Sequence, residues 1–147
     1  MAAVRRATVS WVGDLASGSG QLTASTSQVF TAVPVTWASR TEAADGRTSP
    51  EELLAAAHAS CFSMAFASEL AKAGSPPASL NVQAEIAADR VDGKLTVISS
   101  KLTVHGRAAG LDEGQFRALA EKAKDGCPIS RALQGNVELS VEASLDR

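Results

Sequence analysis

Tyrosine is absent from this 147-residue chain, and four Phe and two Trp make up an aromatic content of only 4%. So sparse a set gives no platform for stacking bases. A net charge of −2 likewise leaves no basic surface for nucleic acid or an anionic membrane. Cysteine occurs only twice, too few for a disulfide-stapled scaffold, and with two histidines the chain lacks the cluster a zinc site needs. No run approaches the roughly 18 uninterrupted apolar residues that span a bilayer. The opening residues MAAVRRATVS carry two arginines but no apolar core, so no secretory signal is expected. These absences point to the cytoplasm, where stable disulfides are rare and a pair of cysteines is more often free or catalytic. No Gly-rich phosphate loop, Ser-His-Asp signature or metal-ligand spacing occurs, and neither cofactor nor metal is expected.

What remains is a chain of ordinary globular balance, 45% apolar and 20% charged, of a length expected to form one domain, residues 1–147. Weak alternation over Thr8–Thr26, broken by Gly18-Ser19-Gly20, and a same-parity Val29, Val33, Val35 and Trp37 over Gln28–Trp37 predict a small antiparallel sheet. Pro34 places the last of these strands at an edge. Arg40–Thr48 reads as a loop. Ser49-Pro50-Glu51-Glu52 is a strong helix start, with Ser49 as cap, Pro50 at the first helical position and Glu52 three residues past the cap. The helix runs to Lys72 and stops at Gly74 and Pro76-Pro77. It is apolar nearly all round, with Leu54, Ala57, Cys61 and Met64 as one stripe, and so is expected to be a central helix buried on more than one side.

Leu80–Arg90 and Leu95–His105 flank Asp92-Gly93, a hairpin signal. A second helix is expected over Asp112–Lys124, then a short helical turn from Cys127 to Leu133 and a closing strand over Val137–Leu145. Strands and helices are segregated, which defines an α+β fold.

On residues alone, Cys61 in the mid-helix run Ala57-His58-Ala59-Ser60-Cys61-Phe62 reads as a small buried hydrophobe. Cys127 follows a Gly helix stop and precedes a Pro at a helix start, where backbone N–H groups favour a thiolate; a packed thiol in a tight turn is the competing reading. A two-cysteine peroxidase would use both, one to attack a peroxide and one to capture the sulfenic acid. Their separation in sequence decides nothing.

Two longer segments carry more. Thr48-Ser49-Pro50-Glu51-Glu52-Leu53-Leu54-Ala55-Ala56-Ala57-His58-Ala59-Ser60-Cys61-Phe62-Ser63-Met64-Ala65 resembles the central-helix motif of the osmotically inducible protein C (OsmC) family. Lys122-Ala123-Lys124-Asp125-Gly126-Cys127-Pro128-Ile129-Ser130 resembles that family's second cysteine motif. Order, spacing and flanking strands agree over essentially the whole chain. The resemblance implies an OsmC-like fold, with antiparallel sheets around a long buried central helix, in an intertwined homodimer. It also implies a thiol-dependent peroxidase for small organic hydroperoxides, and more weakly for hydrogen peroxide, reset by an external dithiol such as a dihydrolipoyl group. Cys61 falls on the peroxidatic cysteine, Cys127 on the resolving cysteine and Glu51 on the catalytic glutamate. Arg40 falls on the arginine of the OsmC branch. The organic hydroperoxide resistance branch carries its arginine in the first hairpin, but Val12–Gln28 holds no Arg or Lys. Relatives commonly place an aromatic after this arginine where Thr41 stands here, and Arg47 is the weaker alternative.

The implied roles are physically coherent: a guanidinium beside a thiol lowers its pKa, and a carboxylate can hold that guanidinium through a bidentate pair. Glu51 and Cys61 are ten residues apart on one helix, about 15 Å along the axis and off in phase. Glu51 therefore cannot touch the thiol of its own straight helix, and a shared site requires Glu51 and Arg40 from a second subunit. Another class of function is a non-catalytic dimer that binds an apolar ligand and uses its cysteines as core. His58 reads as a packed helix histidine in preference to a base, and His105 as surface. Trp11 and Trp37 read as core on strand faces, Met64 and Phe66 as core or pocket lining, and Lys122 and Lys124 as solvated.

Overall fold

A computed structural model describes all residues 1–147, which fall into two compact units, Met1–Leu53 and Leu54–Arg147. The first unit holds a three-stranded antiparallel sheet in the order β1 (Thr8–Val12), β2 (Ser19–Thr23), β3 (Val33–Val35). β3 is far shorter than the expected Gln28–Trp37. Gln28 at φ 57° and Ala32 at φ 53° lie in the left-handed region, which no strand can include. Pro34 does sit on an edge strand, its carbonyl accepting the Thr48 N–H at 3.1 Å.

At its far end β3 gives way to a helix where a loop was expected, α1 (Trp37–Thr41). Thr36 starts it: its hydroxyl accepts the Ser39 N–H and the Ser39 hydroxyl accepts the Thr36 N–H, both at 3.0 Å. This reciprocal cap turns Trp37 out of the strand, so the expected strand-face position for Trp37 is wrong. Trp11, on the fully exposed β1, is 41% exposed and is not core within this chain.

Helix α2 (Pro50–Lys72) begins as its sequence dictates, with the Ser49 hydroxyl accepting the Glu52 N–H at 3.1 Å. The Glu52 carboxylate does not complete a capping box; it accepts the Thr48 hydroxyl at 2.7 Å. In the second unit, β4 (Pro77–Val91) and β5 (Lys94–Ala108) form a long antiparallel hairpin. Its two turn residues, Asp92 at φ 51° and Gly93 at φ 76°, adopt the left-handed pair that matches the twist of the strands.

α3 (Glu113–Gly126) and α4 (Pro128–Leu133) then lead to β6 (Glu138–Leu145), which lies parallel to β5. The expectation of wholly antiparallel sheets fails at this pair. Two intervening helices return the chain to the starting end of β5, and such a crossover favours parallel pairing. Asp112 caps α3 in a reciprocal box with Gln115, and Phe116, Ala120 and Ala123 turn inward.

The core of the second unit stacks Phe62 on Phe66 and Phe66 on Phe116, with ring centroids 5.5 and 4.9 Å apart. Leu70, Leu102 and Val104 complete it. Gly106 is required where β5 passes Phe116, because a Cβ there would lie 2.9 Å from the Phe116 ring.

The buried stripe of α2 is His58, Phe62, Phe66 and Leu70, not Leu54, Ala57, Cys61 and Met64. Two phenylalanines remove far more apolar area than Ala and Cys, and so decide which face turns inward. Met64 is 71% exposed. By length and composition α2 could cross a membrane, with a mean hydropathy of 1.3 over its most apolar stretch, yet its Phe side is filled by the core. Within one chain the helix is buried on one side only.

Candidate active site

In the first unit, Arg40 stands on the last turn of α1 and Glu51 on the first turn of α2. Arg40 Nε and Nη2 donate to the same carboxylate oxygen, Glu51 Oε1, at 2.8 and 2.7 Å. The pair is therefore two-pronged on the arginine side but one-oxygen on the glutamate side, unlike the side-by-side fork expected. Glu51 Oε2 is left buried with no hydrogen-bond partner. A buried carboxylate oxygen of this kind has room for a further hydrogen-bond donor. The Trp37 ring lies 5.8 Å from the Arg40 guanidinium carbon, a cation–π contact that steadies its orientation. Arg47 pairs instead with Asp45 at 3.0 Å, two residues away in a loop, and does not join Glu51.

The second unit holds the thiols, both free. Cys61 is half-buried in an open, apolar groove of about 550 Å³, where Ala57, Met64, Ala65, Pro128 and Ile129 are among its neighbours. Phe66 does not line it; that ring is core. Cys127 is fully buried at the junction of α3 and α4, its N–H bonded to the Ala123 carbonyl at 2.9 Å. The Cys127 thiol lies close enough to Cys61 to act on its ionisation. Burial pushes the Cys61 pKa up, the neighbouring Cys127 thiol pushes it further up, and the nearby Ile129 backbone pulls it down. Pro128 and Ile129, at the start of α4, line the same groove as Cys61.

Beside the thiols lies a polar cluster that sequence reading left as a packed histidine. His58 is fully buried; its Nδ1 is 2.6 Å from the Ser100 hydroxyl on β5, and its Nε2 is 2.7 Å from the Ser130 hydroxyl on α4. The sequence signal was a histidine in an apolar helix, which demands partners. Which serines supply them was hidden by 42 and 72 residues of intervening chain. Burial holds the His58 pKa below its ordinary 6.5. The unfolded chain therefore takes up a proton near pH 6.5 that the folded chain refuses until lower pH, so stability falls on acidification through that window. We expect the melting temperature to drop by several degrees from pH 7 to pH 5, and the drop to shrink in His58→Gln; identical slopes would remove His58 as its cause.

Lys122 is exposed as expected, meeting Glu69 at 2.6 Å, whereas the Lys124 side chain is only 15% exposed and pairs with Glu121 at 2.8 Å. His105 is exposed as expected, with Nδ1 2.7 Å from the Ser144 hydroxyl. It borders a larger, more polar groove of about 590 Å³ over β5, β6 and α3, which contains neither thiol.

A fold of this kind, with a thiol pair at the waist of a long helix, defines a class, and comparison names it. The family model described as "OsmC-like protein" matches residues 43–142, and the chain belongs to that family. It is 36% identical over 132 residues to peroxiredoxin OsmC of Escherichia coli, covering 90% of this chain and 91% of that protein. It is 32% identical over 108 residues to organic hydroperoxide resistance protein-like 1 of Staphylococcus epidermidis, covering 69% and 74%. Among solved structures, the organic hydroperoxide resistance protein OhrB of Bacillus subtilis superposes with a TM-score of 0.71 at 23% identity, over 95% of this chain and 98% of that one. An OsmC-like protein of Vibrio cholerae gives 0.74 at 18%, over 97% and 100%. The α+β architecture is thus that of the OsmC and organic hydroperoxide resistance proteins.

Proposed function

We propose that this protein is a cytoplasmic two-cysteine peroxidase that reduces organic hydroperoxides, with residues 1–147 acting as one functional domain. The carrying observation is the pair of neighbouring thiols, one open to an apolar groove and the other fully buried. The Cys61 thiolate attacks the terminal peroxide oxygen; the O–O bond breaks, the alkoxide leaves and takes a proton as alcohol, and Cys61 becomes a sulfenic acid. The Cys127 sulfur then displaces that hydroxyl as water, forming the Cys61–Cys127 disulfide. An external dithiol, for which a dihydrolipoyl group is the candidate, meets the Cys61 sulfur from the groove and expels Cys127 as thiolate. Its second thiol then closes on the first and frees Cys61.

The remaining piece is the cation. The groups acting on Cys61 within one chain raise its pKa on balance, while Arg40 and Glu51 form a pair ready to lower it. Ten residues of helix separate Glu51 from Cys61, so the reading places Arg40 and Glu51 of one subunit against Cys61 of the other, in a homodimer with two composite sites. The outward face of α2, with Met64, is the surface such a partner would cover.

Intact mass is the test. One equivalent of cumene hydroperoxide should remove about 2 mass units from the reduced protein, the two hydrogens lost on disulfide closure. Cys127→Ser should instead yield a Cys61 sulfenic acid that dimedone traps. An unchanged mass and a Cys61 inert to alkylation would return the protein to the apolar-ligand reading.

A further inference from the structure

We infer that His58, through Ser130, is the positioning residue that sets Cys127 and Ile129 against Cys61. The inference rests on the two-cysteine reading above and concerns what holds that pair in register. His58 precedes Cys61 by three residues, so its imidazole and the thiol leave α2 from adjoining turns of neighbouring faces. Ser130 follows Cys127 by three residues, within α4, and Ile129 lies between them. The 2.7 Å contact from His58 to Ser130 therefore ties the same short stretch, 127–130, that carries Cys127 and borders Cys61 in the groove through Pro128 and Ile129.

Cys127 is held by the core and by the Ala123 carbonyl, but the residues after it have less to fix them. α4 is six residues long, and no side chain caps its start. A helix of that length does not hold its own shape in water and takes its position from what it packs on. The other end of the imidazole is anchored by the 2.6 Å contact with Ser100, on a strand through the middle of the core. The imidazole, kept neutral by burial, has one donor and one acceptor nitrogen. Its two serine contacts satisfy both, and the ring, rooted in α2, braces α4 through Ser130 whether or not Ser100 holds its other side. Such a brace matters most for disulfide closure, where the two sulfurs must approach to bonding distance along a defined path.

The two serines separate positioning from mere stability. Ser100→Ala and Ser130→Ala each remove one hydrogen bond from a buried imidazole, so both should lower the melting temperature by a similar amount. Only Ser130→Ala should loosen the thiols. In stopped-flow oxidation of the intact protein by one equivalent of cumene hydroperoxide, closure of the disulfide should slow about tenfold in Ser130→Ala, with sulfenic acid accumulating. In Ser100→Ala closure should stay within about twofold of the parent, and Ser130→Thr, which keeps the hydroxyl, should restore it. His58→Gln is the second route if Ser130→Ala does not fold, and it too should slow closure. Parental closure rates in Ser130→Ala or His58→Gln, or equal slowing in Ser100→Ala, overturn the role of His58. A parent protein that forms no disulfide at all overturns the two-cysteine reading instead.

Discussion

Cys61→Ser should lose hydroperoxide reduction by about 10³-fold or more, to the level of the uncatalysed reaction with the external dithiol. A serine hydroxyl is scarcely ionised at neutral pH and cannot form the sulfenic acid on which the rest of the cycle depends. The substitution is nearly isosteric and falls at a half-buried position on the rim of a groove, so the fold should survive it. Cys127→Ser makes the contrast. Its first turnover should proceed at close to the parental rate, because the attacking thiol is untouched. Later turnovers should then fail as Cys61 passes to irreversible higher acids. Steady-state turnover of cumene hydroperoxide, with thermal melting as the control for folding, measures both. Full activity in Cys61→Ser would end the peroxidase reading, whatever the relatives do.

How this site could be read in advance differs from residue to residue. The start of α2 was legible because Ser49, Pro50 and Glu52 each act within one helical turn, and local signals survive folding. The β4–β5 hairpin was legible for the same reason, since Asp92-Gly93 states its own turn geometry. α1 was missed although Thr36 and Ser39 carry its cap, because serine in place of Glu or Gln is a weaker signal than the surrounding polar run. The parallel β5–β6 pairing and the His58 contacts were out of reach for another reason. Both depend on where α3 and α4 return the chain, which no local pattern encodes. The sequence pointed to burial of α2 on more than one side, and within this chain the volume of Phe62 and Phe66 decides which face turns inward. The cysteines themselves were visible, but their proximity is a property of the folded chain.

Arg40→Ala should cost about 10²-fold in peroxide reduction, by removing the donor that stabilises the Cys61 thiolate and the negative charge developing on the peroxide oxygen. Mixing decides from which subunit that arginine comes. A Cys61→Ser chain keeps Arg40, and an Arg40→Ala chain keeps Cys61; each alone should be nearly inactive. If each site takes its thiol from one subunit and its arginine from the other, co-expressed chains recover activity. Random pairing makes half of the dimers mixed, each with one complete and one doubly defective site, so about a quarter of the parental sites should return. Sites built within one chain would return none, because no chain in the mixture carries both residues. The ten residues of helix between Glu51 and Cys61 favour recovery. Failure to recover in dimers shown by mass to be mixed would put the arginine back in the chain that bears the thiol, and α2 would then have to bend.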